Sequence, residues 1–156
     1  MPGKREGVPT WDQTFMSMAE VISWRSKDPS TQVGACIVGR DHRILSLGYN
    51  GTTRGFNDDD FPWEKSSSDP NQTKYPFVVH AERNAILNFN GSLRDFNDAI
   101  MYATHMPCNE CAKSIAQVGI SELVFLHNYD KMGSSSASSI IFERAGITVR
   151  QMLGLR

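Results

Sequence analysis

The sequence predicts an α/β protein built on one mixed five-stranded sheet with helices on both faces. Three observations carry that expectation. Apolar residues recur at helical spacing in some segments and form short continuous or alternating runs in others. From residue 98 onward strand-like and helix-like segments take turns, as crossover units do, which lays their strands parallel. Before that, QVGACIVG and RILSLGYN are separated only by Arg40-Asp41-His42, a polar turn that calls for an antiparallel hairpin.

Each element has its own signal. Residues 1–9 carry Pro2, Gly3, Gly7 and Pro9 and read as a flexible tail, with residues 10–156 as a single domain. Thr10 is placed to cap a first helix in which Trp11, Phe15, Met18 and Ile22 repeat at helical spacing. That helix should end near SKDPS, where Pro29 disfavours helical backbone at Asp28. The hairpin follows. From Gly51 to about Tyr75 Gly, Asp, Ser, Asn and Pro dominate, and a long loop is expected. HAERNAILNFN is the second helix and DAIMYAT the third strand. HMPCNECAKSIAQVG is a helix stopped at Gly119, and SELVFLHN is the fourth strand. SSSASSIIFERAG is a serine-capped helix ended at Gly146, and ITVRQM is the last strand.

Bulk properties narrow the function classes. A chain of 156 residues is long enough to bury a substantial core. Sixteen basic residues against 17 acidic ones leave a formal charge of −1, which offers no general attraction to nucleic acid or to an anionic membrane. No window reaches transmembrane length and the N-terminal residues lack an apolar signal core, so a cytoplasmic location is expected. Three cysteines, Cys36, Cys108 and Cys111, argue against a disulfide framework and toward thiol or metal chemistry.

The cysteine pair sits in PCNEC at a helix start. Residues three apart on a helix face the same side, and the positive end of the helix dipole favours thiolate, the form that binds zinc. A lone C-x-x-C also fits a redox pair or half of a four-cysteine site. No second C-x-x-C exists here, so a zinc ion would need a histidine from among His42, His80, His105 and His127. His80 opens a helix directly after an apolar run, and two such helix starts can converge over one sheet edge. Three protein ligands, His80, Cys108 and Cys111, leave the fourth tetrahedral position open, the arrangement of a catalytic zinc. Glu82, two residues after His80, is then placed to move protons on a water made acidic by the metal. Cys36, in the apolar run ACIV, reads as a buried strand cysteine.

H-x-E followed by P-C-x-x-C resembles the signature of zinc nucleobase deaminases. The likeness extends further. RSKDPSTQVGACIV, GYNG, TKYPFVVHAERNAI and PCNECAK together resemble the deoxycytidylate (dCMP) deaminases, from about Trp11 to Met152. The resemblance implies a cytidine-deaminase-like three-layer fold. It implies hydrolysis of dCMP to dUMP and ammonia, supplying dUMP for thymidylate synthesis, by attack of zinc-bound hydroxide on carbon 4 with Glu82 as proton shuttle. It also implies a homohexamer activated by dCTP and inhibited by dTTP, with Mg2+ accompanying the effector. Asn50 corresponds to the family's asparagine that bonds base and sugar, and Tyr129 to a substrate-contacting tyrosine. The backbone N–H of Ala81 can face the cytosine carbonyl. Ser26, Lys27, Arg54 and Lys131 are the expected phosphate or effector contacts. Asp58 to Asp60 read as a solvated acidic turn, with Mg2+ or effector binding as the other reading. Residues 51–79 hold no cysteine or histidine, so one zinc per chain is expected rather than the two of some viral members. The alternatives are a cytidine or tRNA adenosine deaminase with the same signature, or an inactive zinc- or nucleotide-binding module. Near-neutral charge disfavours the tRNA enzyme, His80 in place of a cysteine disfavours the free-cytidine enzyme, and Glu82 disfavours the inactive module.

Overall fold

The structure is a computed structural model and describes residues 1–96, 98–128, 133 and 136–155. Helix α1 spans Trp11–Ser23. Thr10 caps it reciprocally: Thr10 Oγ1 accepts from Gln13 N at 3.1 Å and Gln13 Oε1 accepts from Thr10 N at 2.8 Å. The helix ends at Ser23, two residues short of SKDPS. Trp24, Arg25 and Ser26 donate to carbonyls three residues back, so the last turn tightens and the chain leaves the helical path ahead of the proline.

Strands β1 (Gly34–Val38) and β2 (Ile44–Tyr49) form the antiparallel hairpin, with Cys36 opposite Leu47. Its turn places His42 in the left-handed region at φ 67°. Two further strands, β3 (Gly51–Thr52) and β4 (Val78–Val79), pair with each other in a separate small sheet. The sequence reading has no counterpart for them, since two residues are too few to show alternation. They staple together the two ends of the long loop. That loop is ordered by its own aromatic cluster, with Phe56 and Phe77 5.1 Å apart and Phe61 and Trp63 4.6 Å apart between ring centroids.

Helix α2 (Ala81–Asn88), strand β5 (Ile100–His105), helix α3 (Asn109–Gln117), strand β6 (Glu122–His127), helix α4 (Ala137–Arg144) and strand β7 (Thr148–Gln151) complete the chain. The main sheet has five strands in the order β2-β1-β5-β6-β7. β1 runs antiparallel to both neighbours, whereas β5, β6 and β7 are mutually parallel. Gly119 (φ 83°) and Gly146 (φ 72°) supply the left-handed residues that close α3 and α4.

The sheet separates two apolar layers. Ala35, Ile37, Met101, Ala103 and Leu123 face Ala81, Ala85, Ala112, Ile115 and Phe142 of α2, α3 and α4. Cys36, Val38, Tyr102, Val124 and Leu126 face Phe15, Met16 and Ala19 of α1. The strict alternation along β1 assigns successive residues to opposite layers. The result is the predicted mixed sheet with helices on both faces. Gly48 lets α2 lie almost on β2: a Cβ there would stand 2.3 Å from Ala85 N. Among the described residues no helix is long and apolar enough to cross a membrane.

Candidate active site

Two helix starts meet over the end of the sheet. α2 leaves the β3–β4 staple and α3 leaves β5, and both caps are unusual. His80 caps α2 and Cys108 caps α3 with extended backbone (ψ 154° and 170°), and neither side chain makes a capping hydrogen bond. The side chains are free to turn toward each other instead. His80 Nδ1 lies 3.4 Å from the sulfurs of both Cys108 and Cys111.

This donor set fits a zinc ion. Two sulfurs and a nitrogen held at about 2.3 and 2.1 Å from one tetrahedral centre stand about 3.6 Å apart in each N–S pair. All three donor atoms lie within 4.8 Å of one another. The charges conflict without a cation. The Cys111 hydrogen bond and His80 hold the Cys108 thiol far below its usual range. Cys108 and burial push the Cys111 thiol far up. His80 is held above its ordinary value, chiefly by the hydrogen bond to Cys108. A dication lets both thiolates and a neutral imidazole coexist.

Glu82 follows one residue inside α2 and is buried, 4 % exposed. Burial is the main cause that raises its carboxyl above the ordinary value, with His80 and a Cys111 hydrogen bond opposing. A carboxyl so placed moves protons more readily near neutral pH than a solvated one. His80, Ala81, Glu82 and Cys108 line a cleft of about 280 Å³, whose walls include Val33 and Met106. That space suits a small planar ring. Ala81 begins α2, and its N–H is one of the helix-start donors without an intrahelical acceptor.

The structure sorts the other expected residues. Asn50 is buried and lines the cleft, with its amide already braced: Oδ1 accepts from Val33 N at 2.8 Å and Nδ2 donates to Thr31 O at 2.9 Å. One N–H remains for a ligand. Ser26 accepts from Asp28 N at 3.3 Å and lines neither this cleft nor its neighbour. Arg54 is exposed and also lines neither. Lys27 faces the neighbouring cleft, paired with Asp58, whose carboxyl it holds below the usual range. Tyr129 and Lys131 lie outside the described residues. Cys36 is fully buried, and its thiol is pushed up to about 12 by that burial. Glu110 is exposed and pairs with Lys113 at 2.8 Å.

Two features escaped the sequence reading. Asp28 and Lys74 form a buried ion pair at 2.6 Å on the wall of the catalytic cleft. A second cleft of about 300 Å³ lies alongside, lined by Arg25, Lys27, Tyr49 and Trp63 together with Asn84. The two clefts share walls: Lys27 and Tyr49 face one, and their chain neighbours Asp28 and Asn50 face the other. Asn84 ties that wall to α2, donating to Tyr49 O at 2.8 Å.

A buried carboxylate beside an open His-Cys-Cys set, on two converging helix starts, defines a zinc-dependent hydrolytic enzyme. A model of the cytidine and deoxycytidylate deaminase zinc-binding region matches residues 9–127, and the chain belongs to that family. It is 42% identical over 151 residues to the deoxycytidylate deaminase of Homo sapiens, covering 96% of this chain and 84% of the relative. The Mus musculus enzyme of the same name is 44% identical over 149 residues, covering 95% and 83%. Among solved structures, the dCMP deaminase of cyanophage S-TIM5 in complex with dCMP and dUMP superposes with a TM-score of 0.70 at 28% identity. It covers 90% of this chain and 95% of that one.

Proposed function

We propose that this chain hydrolyses dCMP to dUMP and ammonia. The observation that carries the reading is Glu82, buried against the His80–Cys108–Cys111 set at the floor of a ring-sized cleft. His80, Cys108 and Cys111 would hold the zinc. When bound, zinc supplies Lewis acidity that brings the pKa of a coordinated water to about 7. Glu82 takes a proton from the attacking water and delivers it to ring nitrogen 3, which makes carbon 4 more electrophilic. It then carries the second proton to the departing amino group. Burial supports this double role, because it draws the acid and base forms of one carboxyl closer in energy near neutral pH. Ala81 N–H and the remaining N–H of Asn50 orient the base.

The regulatory part of the reading comprises activation by dCTP with Mg2+, inhibition by dTTP and a homohexamer. It rests on family membership and has one structural support. The second cleft offers Arg25, Lys27 paired with Asp58, two aromatic faces and the amides of Asn84 and Asn88, groups that suit a nucleotide, and it shares its wall with the first.

Loss of cytosine absorbance with dCMP, CMP and cytidine as substrates tests the assignment, with and without dCTP and Mg2+. Turnover of dCMP in preference to the others is expected, and its absence under all conditions overturns the reading. Glu82→Ala should lower kcat by at least about 10²–10⁴-fold while zinc is retained. Loss of zinc in that variant would make Glu82 a ligand rather than a proton carrier.

A further inference from the structure

A mononucleotide substrate brings a phosphate dianion into a cleft that must answer it. Among the described residues lining the catalytic cleft, Lys74 is the only lysine or arginine. It is also unusual in itself. Lysines are almost never fully buried unless paired, and Lys74 is 7% exposed. We propose that Lys74, held in place by Asp28, is the cation that binds the substrate phosphate and distinguishes a nucleotide from a nucleoside. This rests on the dCMP reading above.

The geometry assigns the two residues different tasks. Asp28 Oδ1 accepts from Ser30 N at 2.8 Å and Thr31 N at 3.4 Å, and Oδ2 accepts from Lys74 Nζ at 2.6 Å. Backbone donors therefore hold the carboxylate in place independently of the lysine. Lys74 brings three N–H donors on a flexible four-carbon stem. Among the described residues Asp28 takes one of them, and no other hydrogen bond of the ammonium is formed. Two donors remain for an incoming anion. The backbone of Lys74 is anchored as well, its N–H donating to Glu64 O at 3.0 Å and its carbonyl accepting from Val78 N at 2.8 Å. Asp28 thus acts as a positioning residue that removes the rotamer freedom the stem would otherwise lose on binding. A purely structural pair has no need to sit on a cleft wall, and burying one there is no gain over apolar packing.

The test compares dCMP with deoxycytidine in Lys74→Gln. The KM for dCMP is expected to rise about 10- to 100-fold with kcat within about 3-fold, the loss of a charge-assisted contact. The kcat/KM for deoxycytidine is expected to stay within about 3-fold. Lys74→Arg should keep most of the preference. Calorimetric binding of dUMP against deoxyuridine repeats the comparison without turnover. Asp28→Asn/Lys74→Gln removes both buried charges together, which avoids the cost of leaving Asp28 unpaired, and it should lose the preference equally. If dCMP and deoxycytidine fall by the same factor, or if the double variant still prefers dCMP, Lys74 is structural and the inference is overturned. If the wild-type protein does not act on dCMP at all, the functional reading itself fails.

Discussion

Gly48→Ala is the perturbation that tests whether the site is built by the close approach of α2 to β2. A methyl group at Gly48 would lie 2.3 Å from Ala85 N, 2.5 Å from Ala81 O and 2.8 Å from Ala85 Cα. All three are backbone atoms, so no side chain can swing aside. Ordinary contact begins near 3.4 Å, and α2 must retreat by about 1 Å. Three bonds oppose that retreat: Ser46 Oγ to Ala85 O at 2.5 Å, Asn84 Nδ2 to Tyr49 O at 2.8 Å and Asn88 Nδ2 to Leu47 O at 3.0 Å. Overpacking of this kind costs about 1–3 kcal/mol, a fall in Tm of about 3–10 °C for a chain of this length. The catalytic effect should be the larger signal. α2 carries His80 and Glu82, whereas Cys108 and Cys111 ride on α3, so a shift of α2 alone pulls the site apart. A misplacement of about 1 Å costs about 10²-fold in rate. Thermal melts, zinc content by mass spectrometry and kcat with saturating dCMP read the three consequences. A variant with kcat within about 3-fold of wild type and an unchanged Tm would show that α2 does not rest on β2 in this way.

Two other expectations follow from the same packing and charge arguments. Cys108→Ser and Cys111→Ser should each lower bound zinc well below one ion per chain, because a hydroxyl replaces a thiolate ligand; full zinc occupancy in either would remove that residue from the ligand set. Asp12 accepts from Arg150 at 2.8 and 3.1 Å and from the Tyr102 hydroxyl at 2.5 Å, and Arg150 is the main cause holding its carboxyl below the usual 3.8. A lowered folded-state pKa gives stability that is present above the unfolded value and is lost as pH falls through the folded one. Asp12→Asn should therefore flatten the fall in Tm between about pH 5 and about pH 2, and equal slopes for the two proteins would refute the assignment.

What could be read in advance was whatever is periodic or capped. Helix α1 announced itself through Thr10 and the spacing of Phe15 and Met18, and α3 and α4 through Gly119 and Gly146. The grouping of His80 with Cys108 and Cys111 was legible because the two cysteines share a helix face and only a few histidines could join them. Burial was less accessible. Nothing local distinguishes Lys27 from Asp28 as to which cleft each faces, since a change of one residue along an irregular segment reverses the side chain's direction. Lys74 sits in a polar loop where a lysine ordinarily means a solvated charge. Only its pairing with Asp28, 46 residues away, makes it buriable. Asn50 shows the same limit, because Asn-Gly reads as a turn and gives no sign that its amide braces Thr31 and Val33. Lys27 and Asp28 line different clefts although they are chain neighbours, and so do Tyr49 and Asn50. At these two places a step of one peptide unit crosses from the lining of one cleft to that of the other, which periodicity and capping signals do not register.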